Sequence, residues 1–445
     1  MRRVPPEIAI VLSFAGLIAV GTVLLSLPFS RGEGRSIDII DALFTATSAV
    51  CVTGLITVDT ARAWSHLGQG VILGLIQLGG LGILTFSTFF LVLFRRPIHL
   101  SQHGLITRTH GKLTRVGVKA LIVRIVSYAL AIELVGGAIL AAFFAQESGW
   151  RSGVWQGAFH AVSAFCNAGF SLFSDSLEGY SASWVVNLTV IGLILLGGIG
   201  FLVITDVESW IRRRRRLSLH SKVVLVTSGV LIVAGTVGFY AFEARNVLAD
   251  RPAGEQFLIS LFQSVTPRTA GFNTVSFSSL TNPALMLTLI LMFIGGSPGS
   301  AAGGVKTSTA AILLGILIAR ARGLHHATLF RRSIPEKLVG EAIAIVLLAV
   351  LVIMTATFML QWTELRDLAH PGIRGEFLSL NFEAVSAFGT VGLSMGETFG
   401  LRSSSKLIVV VLMFIGRLGP LTLAVALSRR RRVDYQYAEE PVLVG

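Results

Sequence analysis

Eight apolar runs follow one another along the chain, and each is long enough to cross the roughly 30 Å hydrocarbon core of a membrane as a helix. They lie at 8–28, 71–94, 120–145, 184–206, 223–243, 284–319, 338–361 and 407–427. Within each successive pair, the two runs are joined by a segment that holds a half-length apolar stretch and then a glycine-containing string. The pattern therefore predicts four units, each made of a span, a short helix and a second span.

The joining segments contain a repeated motif that begins with a phenylalanine. The four copies, here termed the glycine strings, are "FTATSAVCVTGLI" from Phe44, "FHAVSAFCNAGFS" from Phe159, "FQSVTPRTAGFN" from Phe262 and "FEAVSAFGTVGLS" from Phe382. The glycine follows the phenylalanine by ten residues in the first, second and fourth strings and by nine in the third. Successive copies are more than 100 residues apart, which is the length of whole supersecondary units.

Because each unit contains two spans, every unit starts on the same side of the membrane, and parallel repeats of this kind can surround an axis along the membrane normal. The predicted fold is an all-α polytopic membrane protein with four span, pore-helix, span repeats around a pseudo-fourfold pore. The repeats are predicted at 1–100, 101–216, 217–325 and 326–430, and a cytoplasmic tail at 431–445. The second span of the third repeat is predicted to be broken.

Composition and charge favour a membrane protein over a nucleic-acid binder. The 445 residues are 53% hydrophobic and 14% charged, with a mean hydropathy of +0.75. Of the 37 Lys and Arg residues, 23 lie at the N-terminus and in segments 95–119, 212–222, 320–337 and 429–432. These segments share one predicted face, so the positive-inside rule places both termini in the cytoplasm. The net charge of +13 is thus explained by topology and by contact with membrane lipids, and no nucleic-acid partner is expected.

The glycine strings are irregular backbone at membrane depth, which is tolerated only where it packs in protein or lines a watery cavity. Carbonyls pooled from four strings around one axis can replace the hydration shell of a monovalent cation, and the short helices point their partly negative C-terminal ends toward it. The alternative is that the glycines serve helix packing, but four copies in register favour a filter. The candidate ion-binding residues are Val52, Thr53, Gly54, Asn167, Ala168, Gly169, Thr269, Ala270, Gly271, Thr390, Val391 and Gly392.

At "TSAVCVTGL", "VSAFCNAGF", "TPRTAGFN" and "FGTVGLS" the chain resembles the Trk/Ktr/HKT superfamily of potassium and sodium uptake proteins. Glycine at all four filter positions and a first unit that begins at residue 8 make it most similar to the membrane subunits of the Ktr branch. The resemblance implies K⁺ uptake across the bacterial cytoplasmic membrane, commonly stimulated by Na⁺, by a homodimer with one pore per subunit. It also implies a cytosolic KtrA-like ring of nucleotide-binding regulatory subunits. A TrkH-like or Na⁺-conducting member is the alternative.

The segment "FIGGSPGSAAGGVKTSTA", Phe293 to Ala310, interrupts the sixth apolar run. Glycine costs about 1 kcal/mol and proline about 3 kcal/mol in a helix relative to alanine, so the helix is predicted to break here. Val305 separates Gly304 from Lys306, which argues against a nucleotide-binding P-loop. In the resembled family a flexible loop at this place crosses the pore and acts as the gate, whereas the alternative is a kinked packing helix. The candidate gate residues are Gly295, Gly296, Ser297, Gly299, Ser300, Gly303, Gly304, Lys306 and Arg417.

Two of these residues are cations at membrane depth, where a charge is by default paired, exposed to water or functional. Lys306 either snorkels toward the cytoplasm or joins the gate. Arg417 lies between Gly416 and Gly419 and aligns with an arginine of the resembled family that approaches the gate loop, so it is expected to face the pore.

An intramembrane enzyme is the rival class of function, and a receptor or scaffold without ion flux is a third. An enzyme would need paired carboxylates, a metal-spaced His set or a Ser/His pair within spans, whereas the His residues lie mostly in loops and no H-E-x-x-H occurs. A receptor would not require four matched strings. The chain has no G-x-G-x-x-G in a strand–helix context, so we expect no cofactor in it and assign nucleotide control to a partner. Whether Na⁺ is a coupled ion or an activator stays open.

Overall fold

The structure, a computed structural model, describes residues 6–32, 36–93, 115–324, 326–366 and 375–419, which are mostly helical. Within these ranges, four continuous helices are long and apolar enough to cross a membrane. They are α1 (Pro6–Ser26), α5 (Arg115–Ser148), α9 (Leu219–Glu243) and α13 (Glu336–Leu365). Each coincides with the first span of one predicted unit.

A shorter helix follows each of these long helices and packs against it. The four short helices are α2 (Ile39–Val50), α6 (Trp150–Phe165), α10 (Ala253–Val265) and α14 (Glu376–Gly389). At 12 to 16 residues they reach only about 18–24 Å, less than the hydrocarbon thickness. The phenylalanine that leads each string, at 44, 159, 262 and 382, is fully buried in its short helix. The core of the molecule therefore surrounds the short helices.

The helices that return after the strings are α4 (His66–Leu93), α7 (Trp184–Ile199) with α8 (Phe201–Arg213), α11 (Asn282–Phe293) with α12 (Thr307–Ala321), and α15 (Ser403–Leu418). Smaller elements among the described residues are α3 (Thr60–Ala63), 3₁₀ turns at Pro28–Ser30, Glu178–Tyr180, Phe277–Ser279 and Glu397–Phe399, and strands β1 (Thr328–Leu329) and β2 (Arg332–Ser333). The two strands pair antiparallel, with Leu329 opposite Arg332.

The prediction of one continuous span at 184–206 is wrong. The helix ends at Ile199, and α8 leaves at an angle of 101° to α7. Gly200 at the break has φ = +92°, a left-handed conformation that a right-handed helix cannot contain. The amide of Phe201, which has no helical acceptor there, donates instead to the carbonyl of Gly299 at 3.2 Å.

The predicted break in the sixth run is confirmed, because α11 ends at Phe293 and α12 begins at Thr307. We refer to residues 294–306 between them as the glycine loop. The last predicted span, 407–427, is described only in part: α15 ends at Leu418, and Gly419 has φ = +84°. Segments 94–114 and 420–445, which include the basic stretch 429–432, lie outside the described residues, and the predictions about them stay predictions.

Candidate ion-conducting site

Each short helix is followed by a triplet of residues with an unusual backbone. The first residue of the triplet has φ between +50° and +71°, and the glycine at its end has φ between +70° and +96°, while the residue between them has no positive φ. The first residues are Val52, Asn167, Thr269 and Thr390, and the glycines are Gly54, Gly169, Gly271 and Gly392. A positive φ is uncommon in non-glycine residues and costs roughly 1–3 kcal/mol. The same outlier at the same position in all four copies therefore marks a constrained site.

The four triplets lie against one another in a closed ring. The Cα of each glycine faces the carbonyl oxygen of the middle residue of the next triplet. In chain order the pairs are Gly54 and Ala168, Gly169 and Ala270, Gly271 and Val391, and Gly392 and Thr53. A Cβ on the glycine would lie only 2.5 to 2.9 Å from that oxygen in the first three pairs, and it would overlap the oxygen in the fourth. Since the fourth triplet returns to the first, backbone carbonyls surround one common axis.

Buried hydroxyls of the short helices hold the triplets in place. They lie four residues after each lead phenylalanine, at Ser48, Ser163, Thr266 and Ser386. The Ser48 and Ser386 hydroxyls accept from the amides of Gly54 and Gly392 at 3.0 and 3.1 Å. In the second and third copies the hydroxyl instead donates to the carbonyl of the residue after the glycine, at 2.8 Å from Ser163 to Phe170. These residues were not predicted from the sequence, although a hydroxyl recurring at one position of the repeat was the available signal.

A cavity of about 230 Å³ opens on the glycine side of the ring. All four ring glycines line it, together with hydroxyl, amide and carboxylate side chains such as Ser171, Asn273 and Glu178. Burial, and then the charge of Asp175, raise the pKa of Glu178 above its usual value, although Asn273 donates to its carboxylate at 2.7 Å and opposes the shift. The cavity thus presents acceptor oxygens and negative charge to a cation that approaches the ring.

The glycine loop lies at the opposite side of the ring. A Cβ on Gly303 would overlap the Thr390 side chain, and one on Gly295 would lie 3.3 Å from Thr269 Cγ2. Thr269 and Thr390 are first residues of their triplets, whereas the cavity is lined by the glycines at the other end. The ring is therefore placed between the cavity and the loop.

The loop is closed at its base by its own backbone. The amide of Gly295 donates to the carbonyl of Val305 at 2.9 Å, and the amide of Thr307 donates to that of Gly296 at 3.1 Å. Within the loop, the Ser300 hydroxyl donates to the Ser297 carbonyl at 2.7 Å.

The tip of the loop is held by the second unit, at the break between α7 and α8. The amides of Ser297 and Ala301 donate to the carbonyls of Gly198 and Gly197 at 3.0 and 3.2 Å. In return, Gly299 accepts from Phe201, the first residue of α8. The loop and the bent helix thus satisfy each other's backbone groups.

Arg417 is buried, with 3% of its surface exposed, and ties the loop to two other units. Its guanidinium donates to the carbonyl of Ala301 in the loop and, at 2.9 Å, to the carbonyl of Gly79 in α4. Lys306 is half-buried, and its ammonium donates to the carbonyl of Ala302 at 2.6 Å. Both predicted cations therefore donate to loop carbonyls. The seven predicted glycine and serine residues lie within the loop itself.

A family model for TrkH, a cation transport protein, matches residues 8–432. The chain belongs to the TrkH family of cation transport proteins. This confirms the family predicted from the four strings, and it places the chain among transporters and not among enzymes.

Curated relatives in the TrkH family match over nearly their whole length. The Ktr system potassium uptake protein B of Vibrio alginolyticus is 38% identical over 439 residues, which cover 98% of this chain and 94% of that protein. The potassium/sodium uptake protein NtpJ of Enterococcus hirae is 38% identical over 449 residues, with coverage of 100% and 98%.

A solved structure has the same fold. The potassium transporter TrkH from Vibrio parahaemolyticus superposes with a TM-score of 0.75 at 20% identity, covering 96% of this chain and 86% of that one. At this identity the likeness establishes the architecture alone.

Proposed function

We propose that this chain takes up K⁺ across the bacterial cytoplasmic membrane through the ring of four triplets. The observation that carries the proposal is the closed cycle in which each glycine lies against the carbonyl oxygen of the next triplet. Such a ring can exchange the hydration shell of K⁺ for backbone oxygens. The relatives named as potassium uptake proteins support K⁺ as the substrate.

In this proposal the twelve triplet residues form the selectivity filter. The short helices contribute the negative ends of their dipoles, each equivalent to roughly half an electron charge, which favour a cation near the ring. The left-handed glycines allow neighbouring backbones to approach more closely than any side chain would permit. The carboxylates of the outer cavity raise the local cation concentration before entry.

The glycine loop and Arg417 form the gate in the same proposal. The loop lies directly beyond the filter threonines, and the guanidinium adds positive charge in the path of the ion while holding a loop carbonyl. Release of Arg417 would free the loop to move aside. A kinked packing helix does not explain this arrangement, because the loop carbonyl of Ala301 accepts from an arginine of a different unit.

The assembly proposed around this pore has eight membrane crossings, both termini in the cytoplasm and two copies of the chain. A cytosolic, nucleotide-binding KtrA-like ring would bind the basic inner face and bias the loop, and Na⁺ would stimulate uptake. The word "system" in the name of the Vibrio alginolyticus relative supports a partnered transporter.

The test is Rb⁺ and Na⁺ uptake by the purified chain in vesicles and by a K⁺-uptake-deficient bacterium, with and without a cytosolic partner. We expect saturable Rb⁺ uptake that K⁺ inhibits, and growth at low K⁺. Uptake of Na⁺ that K⁺ does not inhibit would identify a Na⁺-conducting member instead. A folded chain that moves neither ion under any of these conditions would refute the proposal.

A further inference from the structure

A side-chain contact at a fixed spacing recurs in three of the four units. The residue directly after the lead phenylalanine of the short helix contacts the residue eleven positions later, just beyond the ring glycine. The pairs are His160 and Ser171, Gln263 and Thr274, and Glu383 and Ser394. In the first unit the corresponding residues are Thr45 and Ile56, and the Thr45 hydroxyl is buried without a hydrogen-bond partner.

The contact is strongest in the fourth unit. The carboxylate of Glu383 accepts from the hydroxyls of Ser394 and Thr398, each at 2.5 Å, and from the amide of Met395 at 3.1 Å. Glu383 is completely buried, so these three donors replace the water that a carboxylate would otherwise require. One side chain of the short helix thereby fixes three positions of the segment after the glycine.

In the second unit the contact is made by a neutral imidazole. The amide of Leu172 donates to His160 Nε2 at 3.4 Å, and the carbonyl of Gln156 lies 2.8 Å from Nδ1. An amide only donates and a carbonyl only accepts, so the ring proton is assigned to Nδ1. The lone pair of Nε2 is then shared between the Leu172 amide and the Ser171 hydroxyl, which lies 3.0 Å away. In the third unit the single contact from Gln263 to Thr274 is longer, at 3.4 Å.

We propose that these three contacts are braces that position the filter. Each connects the short helix before the triplet with the segment after it, so that the triplet is held at both ends. Ser171 and Ser394 also line the outer cavity, next to the ring glycines. A brace that limits the movement of this segment keeps the carbonyl ring at one size, which is what discrimination between K⁺ and Na⁺ requires of flexible carbonyls. His160, Gln263 and Glu383 are thus positioning residues, an inference that rests on the proposed function.

The experiment compares His160→Leu and Ser394→Ala/Thr398→Val with a matched control in full-length protein. His160→Leu removes the acceptor of the second brace, and the double variant removes both hydroxyl donors to Glu383. The control is Ser405→Ala, which deletes another fully buried hydroxyl, bonded to Thr363 at 2.6 Å. It belongs to the same unit as Glu383 but contacts no brace.

We expect both brace variants to raise the KM for Rb⁺ and to reduce the K⁺ over Na⁺ preference by about three- to tenfold, the range expected for one or two lost hydrogen bonds. Vmax per folded protein should change less than KM, and Ser405→Ala should retain wild-type values. His160→Gln should restore KM toward wild type, because a glutamine performs this role in the third unit. The increase in Tm caused by added K⁺ should also be smaller in the two brace variants than in the wild type and in Ser405→Ala.

The brace variants could instead lose folded protein or Vmax while KM, ion preference and the K⁺-dependent Tm increase stay at wild-type values. This result would show that the contacts stabilise the fold and do not position the filter. The braces would also be rejected if Ser405→Ala shifted KM as far as the brace variants do. Wild-type protein without any Rb⁺ uptake would reject the proposed function and the braces together. Wild-type uptake with unchanged brace variants would reject the braces alone.

Discussion

The carbonyl ring and the glycine loop are neighbours, but they are built in opposite ways. Each unit contributes one equivalent triplet to the ring, held by its own short helix through a buried hydroxyl. Among the described residues the loop is present in the third unit only, and its tip is held by backbone groups of the second unit and by Arg417 of the fourth unit, which is itself bonded to Gly79 of the first. A repeated element gives a fixed symmetric geometry. A single element held by a few separate contacts can instead be released by changing one of them.

If the two regions differ in this way, damage to the ring should change selectivity, whereas damage to the contacts of the loop should change flux. The largest effect is expected for Gly392→Ser. The new Cβ would overlap the carbonyl of Thr53 in the adjoining triplet, so the ring must widen. We expect the K⁺ over Na⁺ preference to fall by at least about tenfold, equivalent to ~1.4 kcal/mol, as measured by competition of the two ions against Rb⁺ uptake.

Gly396→Ser is the matched control for this change. Gly396 follows in the same segment and also has a positive φ, +102°, but a Cβ there meets no atom within 4 Å. Both variants carry the same kind of backbone strain, and only one reaches the ring. Equal loss of selectivity in the two variants would show that strain in the segment, and not the ring, controls ion choice.

A smaller effect of a different kind is expected for Arg417→Gln. The change removes charge-assisted hydrogen bonds to the loop and to α4, each worth roughly 1.5–3 kcal/mol. We expect Vmax for Rb⁺ uptake to rise about three- to tenfold and to depend less on a regulatory partner, while the K⁺ over Na⁺ preference is retained. Deletion of Ser297 to Gly303 should act in the same direction.

Arg402→Gln provides the control, because Arg402 lies at the other end of α15 and pairs with Glu364 at the surface. It removes the same charge from the residue that caps the start of this helix, without touching the loop. A drop in Vmax for Arg417→Gln at matched membrane expression would contradict the gate, and altered ion preference would contradict the separation of gate and filter.

The smallest effect concerns the carboxylates of the cavity on the glycine side of the ring, which faces outward in the proposed orientation. Burial raises the pKa of Glu178, so this acid becomes neutral at a higher pH than an exposed glutamate. As the external pH falls through that raised pKa, the cavity loses negative charge, and the KM for Rb⁺ should increase by about twofold, since exposed charges are partly screened. Glu178→Gln should raise KM at neutral pH and remove this part of the pH dependence. An identical pH profile in the variant would exclude Glu178 as its source.

Some features of the site could be predicted from the sequence, and others with the same regularity could not. The four strings were found because a repeat of glycine at one register, such as Gly54 with Gly392, is visible without any coordinates. The hydroxyl at Ser48 and its equivalents recurs just as regularly, but a serine in an apolar helix has many explanations until its partner is known. The brace at Glu383 could not be predicted for the same reason. Its partner Ser394 lies eleven residues further along, beyond the ring glycine.

The bend at Gly200 is a feature that the hydrophobic pattern of the sequence does not predict. The run 184–206 is as apolar as a continuous span, and glycines are common in membrane helices, so no local pattern predicts that the helix ends there. The bend is stabilised by the carbonyl of Gly299, which lies 99 residues further along the chain.

The sequence by itself determined the apolar runs, the four strings and the break in the third unit, because hydrophobic periodicity and helix propensity act over a few turns of chain. The closed order of the triplets, the position of the loop on the side of the ring away from the cavity and the attachment of Arg417 to Ala301 were decided only in the tertiary structure. These features depend on backbone carbonyls, which every residue possesses and which therefore leave no mark in the sequence. Only packing determines which carbonyls are left free by the helices and brought around a common axis.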